Sequence, residues 1–157
     1  MAASASPSTE NVPSSTAAIC DGSRDIARCC AIVVACRTRK SGSITIISSI
    51  GGLRGTEVLG AYAISKAADM QLTRNLAAEF GPDNVRVNTI APGLIKTDFA
   101  KALWDNPEIL KRSTDRAPLR RIGEPDEIAG MAVFLAAPAG AFTTGQTFVI
   151  DGGQTVV

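Results

Sequence analysis

Hydrophobic positions between residues 42 and 157 alternate between short β-branched runs and longer stretches rich in alanine and leucine. The short runs predict buried strands at residues 43–48, 85–90 and 146–150. The longest helical stretch covers residues 60–80, contains no proline and stops at Gly81-Pro82. Because the strands are apolar throughout and alternate with helices, the pattern predicts an α/β fold with a parallel sheet covered by helices.

The other helices are predicted mainly from their first residues. Pro125 is a favoured first helical residue, and Asp126 and Glu127 follow where the helix dipole favours negative charge. Residues 99–111 predict one or two short helices. Right-handed crossovers place the carboxyl ends of parallel strands along one edge, where ligands bind in such sheets. We expect three groups at that edge: Ser48-Ser49, Ala91-Pro92-Gly93 and Asp151.

The first forty residues have a different texture. Of residues 1–19, fourteen are Ala, Ser, Thr or Pro, so we expect a disordered tail, with an organelle transit peptide as the alternative. Residues 20–41 are an ambiguous helical segment, and residues 42–157 form the folded domain. The four cysteines lie between residues 20 and 36, without histidine or a C-x-x-C pair, and are expected to be free thiols rather than a disulfide framework or a metal site.

Composition excludes several classes of protein. The sequence has 16 Lys and Arg against 15 Asp and Glu, which gives no reason to expect a nucleic-acid or membrane-surface partner. No apolar run is long enough to span a bilayer. Histidine is absent, so catalytic triads and metal sites built on histidine are excluded. Together with the free cysteines, this composition favours a cytoplasmic protein, with organelle targeting as the alternative.

Tyr62 and Lys66 are the strongest candidates for chemistry. Their spacing of four places both side chains on one face of the helix over residues 60–80. A phenol normally gives up its proton only near pH 10, and an ammonium beside it favours the phenolate. Ser49, at the end of the preceding strand, can hold a substrate oxygen while the tyrosine moves the proton. Each residue alone has an ordinary structural interpretation: an exposed helix pair, and a serine bonded to nearby backbone.

Several blocks in one order together resemble the short-chain dehydrogenase/reductase family. They are Ile46-Ile47-Ser48-Ser49, Tyr62-Ala63-Ile64-Ser65-Lys66, Val85-Arg86-Val87-Asn88, Ala91-Pro92-Gly93-Leu94-Ile95-Lys96-Thr97 and Ile150-Asp151-Gly152-Gly153. The resemblance covers residues 42–153 and is closest to the carbonyl-reductase branch. It implies the C-terminal half of a Rossmann-like doubly wound sheet, with about three strands and flanking helices.

The resemblance also implies roles for single residues. Tyr62 would be the general acid and base, Lys66 would assist it and bind the nicotinamide ribose, and Ser49 would orient the substrate carbonyl. Pro92 and Gly93 would shape the loop beside the nicotinamide, Ile95 would offer its backbone to the carboxamide, and Thr97 would touch the carboxamide or a phosphate. Strand termination by Pro92-Gly93 and helix capping by Thr97 are the structural alternatives. Residues 99–121 would be the substrate lid.

The reaction implied is reversible hydride transfer between NAD or NADP and a ketone or secondary alcohol. The sequence departs from the family because no G-x-G-x-x-G or similar turn precedes residue 42. We therefore expect a chain that lacks most of the cofactor site, is inactive alone and leaves an edge of the strand at residues 43–48 uncovered. A gene-model error, a natural truncation and a reduced protein completed by a partner are alternative origins.

A non-catalytic function is the second hypothesis. The family forms homo-oligomers through the helix equivalent to residues 60–80. Apolar outer positions of that helix would let this chain associate with full-length relatives: Ile64, Ala68, Leu72 and Leu76.

Overall fold

The computed structural model describes residues 17–20 and 26–157, with side chains from Val33 onward. Its sheet has four parallel strands in the order β1-β2-β3-β4: β1 (Ala17–Cys20), β2 (Gly42–Ile47), β3 (Val85–Pro92) and β4 (Thr147–Ile150). The connections carry five α-helices: α1 (Ile26–Arg39), α2 (Gly60–Phe80), α3 (Lys101–Trp104), α4 (Pro107–Arg116) and α5 (Pro125–Ala136). Short 3₁₀ turns lie at Ile50–Leu53, Gly81–Asp83 and Pro138–Gly140.

The two central strands are buried on both faces because helices cover each side of the sheet. On one face, Ile44 and Ile46 of β2 and Val87 of β3 pack with Ala77 and Phe80 of α2. Alternate residues of the same strands point the other way, as the two-residue period of a strand requires. Ser43 on that second face donates its hydroxyl hydrogen to the Leu135 carbonyl of α5 at 2.8 Å. The α/β class and the three strands predicted after residue 42 are thereby confirmed.

The part of the chain before residue 42 differs from expectation. Residues 17–19, expected to be disordered, belong to β1, so that part of the prediction is wrong; residues 1–16 lie outside the described residues. β1 pairs with β2 from Ala17↔Ser43 to Cys20↔Ile46. The edge of β2 that was expected to be uncovered is therefore covered. The ambiguous segment at residues 20–41 contains α1.

The cysteines can be described at one position. Cys36 of α1 is a free, buried thiol, and burial raises its pKa. The side chains of Cys20, Cys29 and Cys30 lie outside the described part of the molecule. Across the residues that the structure describes, no helix is both long enough and apolar enough to cross a membrane.

Most predicted boundaries agree with the structure to within a few residues. α2 begins and ends at the predicted residues. β3 continues to Pro92, where proline is tolerated because the strand ends there. α4 extends to Arg116, beyond the predicted end at residue 111. Its N-cap residue is Asn106, whose side chain accepts hydrogen bonds from the first-turn amides of Glu108 and Ile109.

Candidate active site

Ser49 lies two residues after the end of β2, at the carboxyl edge of the sheet. Its backbone is extended, and its Oγ accepts a hydrogen bond from the amide of Gly51 at 3.1 Å, which caps the 3₁₀ turn at Ile50–Leu53. The hydroxyl therefore uses one acceptor position in the turn and keeps its own O–H for another partner. Capping fixes where this hydroxyl lies relative to the sheet.

Backbone contact holds that 3₁₀ turn against α2. A Cβ placed on Gly52 would lie 2.6 Å from the Ala67 nitrogen and 2.6 Å from the Lys66 carbonyl carbon, so no side chain fits there. Beside it, the Ser48 hydroxyl donates to the Lys66 carbonyl oxygen at 2.8 Å. These two contacts set the distance between the end of β2 and the helix turn that carries Lys66.

The Lys66 ammonium has several close neighbours. Nζ lies 5.8 Å from the centroid of the Tyr62 ring, as the spacing of four residues predicts. It donates to the Ile47 carbonyl at 3.3 Å and to Asp69 Oδ2 at 3.2 Å. The lysine side chain is only 19% exposed and that of Asp69 is 28% exposed, so this ion pair is partly shielded from solvent. The carboxylate offsets part of the positive charge near the phenol.

Gly51 lies between the serine and the tyrosine. A Cβ placed on it would be 3.4 Å from Tyr62 Cε1 and 3.5 Å from Ser49 Oγ. The ring edge and the hydroxyl therefore flank the same small volume, and the ring itself is half-buried. The structure brings Ser49, Tyr62 and Lys66 together at one end of the sheet.

The end of β3 supplies the second wall of this region. Gly93 donates its amide hydrogen to Ile150, and a Cβ on Gly93 would lie 2.9 Å from Cα of Asp151. Beyond it, Ile95 forms an isolated parallel bridge with Gly123. The Ile95 carbonyl accepts from Thr97, whereas its amide has no hydrogen-bond partner among the described residues. Pro92 and Gly93 thus fix a tight crossing beside β4, and Ile95 keeps a donor available.

Thr97 takes part in local structure. Its Oγ1 accepts from the Ala100 amide at 3.3 Å, at the start of α3, and its carbonyl accepts from the Trp104 indole at 2.9 Å. The bond from the Ala100 amide closes the turn before α3, whose N-cap residue is Ala100 and has no side-chain cap, so Thr97 does not itself cap the helix. The hydroxyl and carbonyl oxygens of Thr97 thus both accept hydrogen bonds from residues only three to seven positions later in the chain.

The base of the predicted lid is clamped by an ion pair between Arg121 and Glu127. The guanidinium donates to both carboxylate oxygens, at 2.6 and 2.7 Å, and the Glu124 amide donates to Glu127 Oε2 at 2.8 Å. The guanidinium hydrogen bonds and that amide lower the pKa of Glu127 to about 2, and the carboxylate raises the pKa of Arg121. A cavity of about 80 Å³, lined among others by Leu94, Ile95 and Ile150, lies inside this clamp.

Sequence reasoning missed the residues that support the site. Asp69 lies three residues after Lys66, a spacing that signals a helical ion pair. Gly51 and Gly52 carry no comparable signal, because their importance comes from the approach of α2, which only the tertiary structure shows.

Comparisons with known proteins identify the family of the chain. A family model described as enoyl-(acyl carrier protein) reductase matches residues 18–155. The chain is 42% identical over 123 residues to dehydrogenase/reductase SDR family member 4 of Oryctolagus cuniculus, which covers 78% of this chain and 47% of that protein. It is 44% identical over 115 residues to a tropinone reductase homolog of Arabidopsis thaliana, covering 73% of this chain and 44% of the relative.

Solved structures give the same result. A gluconate 5-dehydrogenase from Burkholderia cenocepacia J2315, in complex with NADP and tartrate, superposes with a TM-score of 0.78 at 32% identity, over 81% of this chain and 50% of that one. A 7α-hydroxysteroid dehydrogenase complexed with NADH and 7-oxo glycochenodeoxycholic acid gives 0.74 at 38% identity, over 78% and 48%.

The chain belongs to the short-chain dehydrogenase/reductase family of oxidoreductases. The family match begins at residue 18, earlier than the start at residue 42 that the sequence blocks indicated, and so includes β1 and α1. The chain spans about half the length of the curated relatives it matches.

Proposed function

We propose that Ser49, Tyr62 and Lys66 form the proton-transfer site of an NAD(P)-dependent oxidoreductase that interconverts ketones and secondary alcohols. The observation that carries the proposal is the shared volume beside Gly51, which the Tyr62 ring edge and the Ser49 hydroxyl both flank. Both side chains therefore border one region, and a substrate oxygen bound there within reach of the phenol and of the serine hydroxyl would have one group to donate a proton and a second to hold it in position.

Each residue has a defined task in this proposal. Tyr62 gives its phenolic proton to the substrate oxygen during reduction and takes it back during oxidation. Ser49 donates a hydrogen bond to that oxygen, because its hydroxyl accepts from Gly51 but keeps its own hydrogen. Lys66, at 5.8 Å from the ring centroid, stabilises the phenolate left behind.

The residues at the ends of β2 and β3 fit the nicotinamide end of a dinucleotide. The Lys66 ammonium has three hydrogens, and its two hydrogen bonds to protein leave one for a ribose hydroxyl. The amide of Ile95 has no partner among the described residues and can serve a carboxamide, beside the tight crossing of Pro92 and Gly93 over Asp151. Thr97, two residues after Ile95, would contact the carboxamide or a phosphate of the cofactor. When bound, the cofactor supplies or accepts the hydride.

The similar solved structures do not select between NAD and NADP, because one contains NADP and another contains NADH. The printed sequence has no glycine-rich turn of the pyrophosphate-binding kind. We therefore expect no change in cofactor fluorescence at micromolar NADH or NADPH, and negligible turnover at those concentrations. Clear micromolar binding would contradict this part of the proposal.

The proposal is tested at millimolar NADH or NADPH, with tropinone and 5-keto-D-gluconate as ketone probes. Any oxidation of the cofactor by the parent chain is expected to fall at least about a hundredfold in Tyr62→Phe, because that variant cannot supply the proton. Ser49→Ala is expected to lose about a hundredfold as well, through weaker positioning of the oxygen. Turnover that Tyr62→Phe leaves unchanged would overturn the proposed function, whereas no turnover in the parent chain is the result expected of a chain that lacks most of the cofactor site.

A second candidate function is association with another subunit through α2. Ile64 is 73% exposed and Leu72 is 47% exposed, so an apolar strip does face outward. Leu76, expected on the same strip, instead packs partly against the core, and that part of the prediction is corrected. Ile64→Asp should weaken self-association or binding to a longer relative in analytical ultracentrifugation, whereas Tyr62→Phe should leave association unchanged.

A further inference from the structure

A second cavity of the described structure is lined by three arginines. It is an open cleft of about 390 Å³ between the residue after the 3₁₀ turn at Ile50–Leu53 and the carboxyl end of α4. Arg54, Arg116 and Arg120 line it, together with Asp115, Gln154 and Val157. We call this the arginine cleft.

The three cleft arginines are not neutralised by carboxylates. Within residues 33–157, the ion pairs of the structure involve Arg37, Lys66, Lys111 and Arg121, and none involves a cleft arginine. The Asp115 carboxylate on the rim bonds Lys111 at 2.5 Å. The guanidinium groups therefore outnumber the carboxylate side chains that line the cleft.

Arg121, in the same segment, is by contrast neutralised by a carboxylate. It is the next residue after Arg120, and Glu127 accepts two hydrogen bonds from its guanidinium. Arg120 donates instead to the backbone carbonyl of Asp115, a single neutral acceptor. A guanidinium has five N–H donors, so Arg120 retains donors for an anion.

The backbone at Arg120 is in a conformation that a non-glycine residue rarely adopts. Its φ is +54°, in the left-handed region. The turn is closed by hydrogen bonds from the Arg120 amide to Ala117 at 2.8 Å and from the Leu119 amide to Gly152 at 3.1 Å. An unfavourable backbone conformation held in this way is typical of positions where the direction of a side chain matters.

The arginine cleft shares one lining residue with the neighbouring cavity. Gln154 lines both the cleft and the cavity that contains Leu94 and Ile95. Arg54 directly follows the 3₁₀ turn that begins after Ser49. The cleft is thus connected through Arg54 to the turn that carries the proposed carbonyl-binding serine.

We propose that the arginine cleft binds the acid group of the substrate, a carboxylate or phosphate ester recognised by Arg54, Arg116 and Arg120. This rests on the proposed function, which supplies the carbonyl end of the same substrate. Arginine binds both kinds of oxyanion through paired N–H donors, so the shared chemistry is an organic anion of modest size.

Binding is measured by ¹H–¹⁵N NMR titration of the full chain in about 50 mM NaCl, where exposed charges are only partly screened. The probes are D-gluconate for a carboxylate, D-glucose 6-phosphate for a phosphate ester and D-sorbitol as an uncharged polyol. We expect at least one anion to shift the amide signals of Arg116, Arg120 and Gln154, and sorbitol to leave them unchanged. The tighter of the two anions identifies the acid group.

Variants separate this cleft from general surface charge. Arg116→Gln and Arg120→Gln should each weaken anion binding about fivefold or more, since each removes a charged hydrogen-bond donor. Arg112→Gln, an exposed position on the same helix that does not line the cleft, should change the affinity less than about twofold. Circular dichroism confirms that the variants are folded.

Equal shifts with sorbitol, no binding of either anion, or equal weakening by Arg112→Gln would overturn the proposal. Failure of the proposed function has a different signature. Tyr62→Phe should bind the anion as tightly as the parent chain. Anion binding together with turnover that Tyr62→Phe leaves unchanged would contradict only the Tyr62 site, and turnover without anion binding would contradict only the cleft.

Discussion

The proposed reaction site and the arginine cleft are built in different ways. At the reaction site, the backbone of Gly52 contacts the backbone of α2, and Ser48 bonds the helix at Lys66. In the cleft, exposed arginines stand on a helix end and a turn. The difference suggests a division of labour: chemistry needs atoms fixed by close packing, whereas recognition of an acid group needs charge in roughly the right place.

The largest effect is expected where that packing is tightest. Gly52→Ala should destabilise the fold by about 2–3 kcal/mol, because its Cβ would overlap the backbone of Lys66 and Ala67. Gly55→Ala is the matched control, since a Cβ there meets nothing within 4 Å, and should change stability by less than about 1 kcal/mol. Urea denaturation measures both. Similar losses in the two variants would show that the contact with α2 is not what fixes the site.

A smaller effect is expected from the hydrogen bond beside it. Ser48→Ala removes the bond to the Lys66 carbonyl and should cost about 1 kcal/mol in the same denaturation experiment. Ser65→Ala is the control, because that hydroxyl bonds the Tyr62 carbonyl one turn earlier on an exposed face of α2. An equal loss of unfolding free energy in Ser48→Ala and Ser65→Ala would mean that the bond between β2 and α2 stabilises the fold no more than a bond within the helix.

These contrasts also explain what the sequence could and could not predict. Ser49, Tyr62 and Lys66 were predictable because helix periodicity and strand ends determine their positions locally. Arg54, Arg116 and Arg120 come from separate elements, and no local pattern indicates that they line one cleft. β1 was missed because its four residues lie at the end of a stretch dominated by Ala, Ser, Thr and Pro, and pairing with β2 overrides that local preference.

The smallest effect on stability is expected from the ion pair between Arg121 and Glu127, which is lost at acid pH. The pKa of Glu127 is lowered from 4.5 to about 2, so the contribution of its ion pair is present above about pH 4.5 and is lost as the pH falls through about 2. A ¹³C titration of the Glu127 carboxyl should have its midpoint near 2. In Arg121→Gln that midpoint should rise toward 4.5, and in Arg112→Gln it should stay unchanged. No change in Arg121→Gln would contradict the clamp.

Asp69 connects the structure of the site to its chemistry. Its carboxylate bonds the Lys66 ammonium at 3.2 Å, and in the proposed function it would offset part of the positive charge that acts on Tyr62. We therefore expect Asp69→Asn to make the phenol more reactive than in the parent chain, and Lys66→Met to make it less reactive. Lys101→Met is the control, because it removes a lysine on α3 that belongs neither to the reaction site nor to the arginine cleft.

The most direct test of the central claim uses the fact that Tyr62 is the only tyrosine in the sequence. Tetranitromethane nitrates the phenolate, so the yield of nitrotyrosine at a fixed pH near 8 reports the state of this one side chain. We expect nitration to be fastest in Asp69→Asn, equal in the parent chain and Lys101→Met, and slower by about fivefold or more in Lys66→Met. Equal nitration rates in the parent chain and in Lys66→Met would contradict the claim that the ammonium activates the phenol.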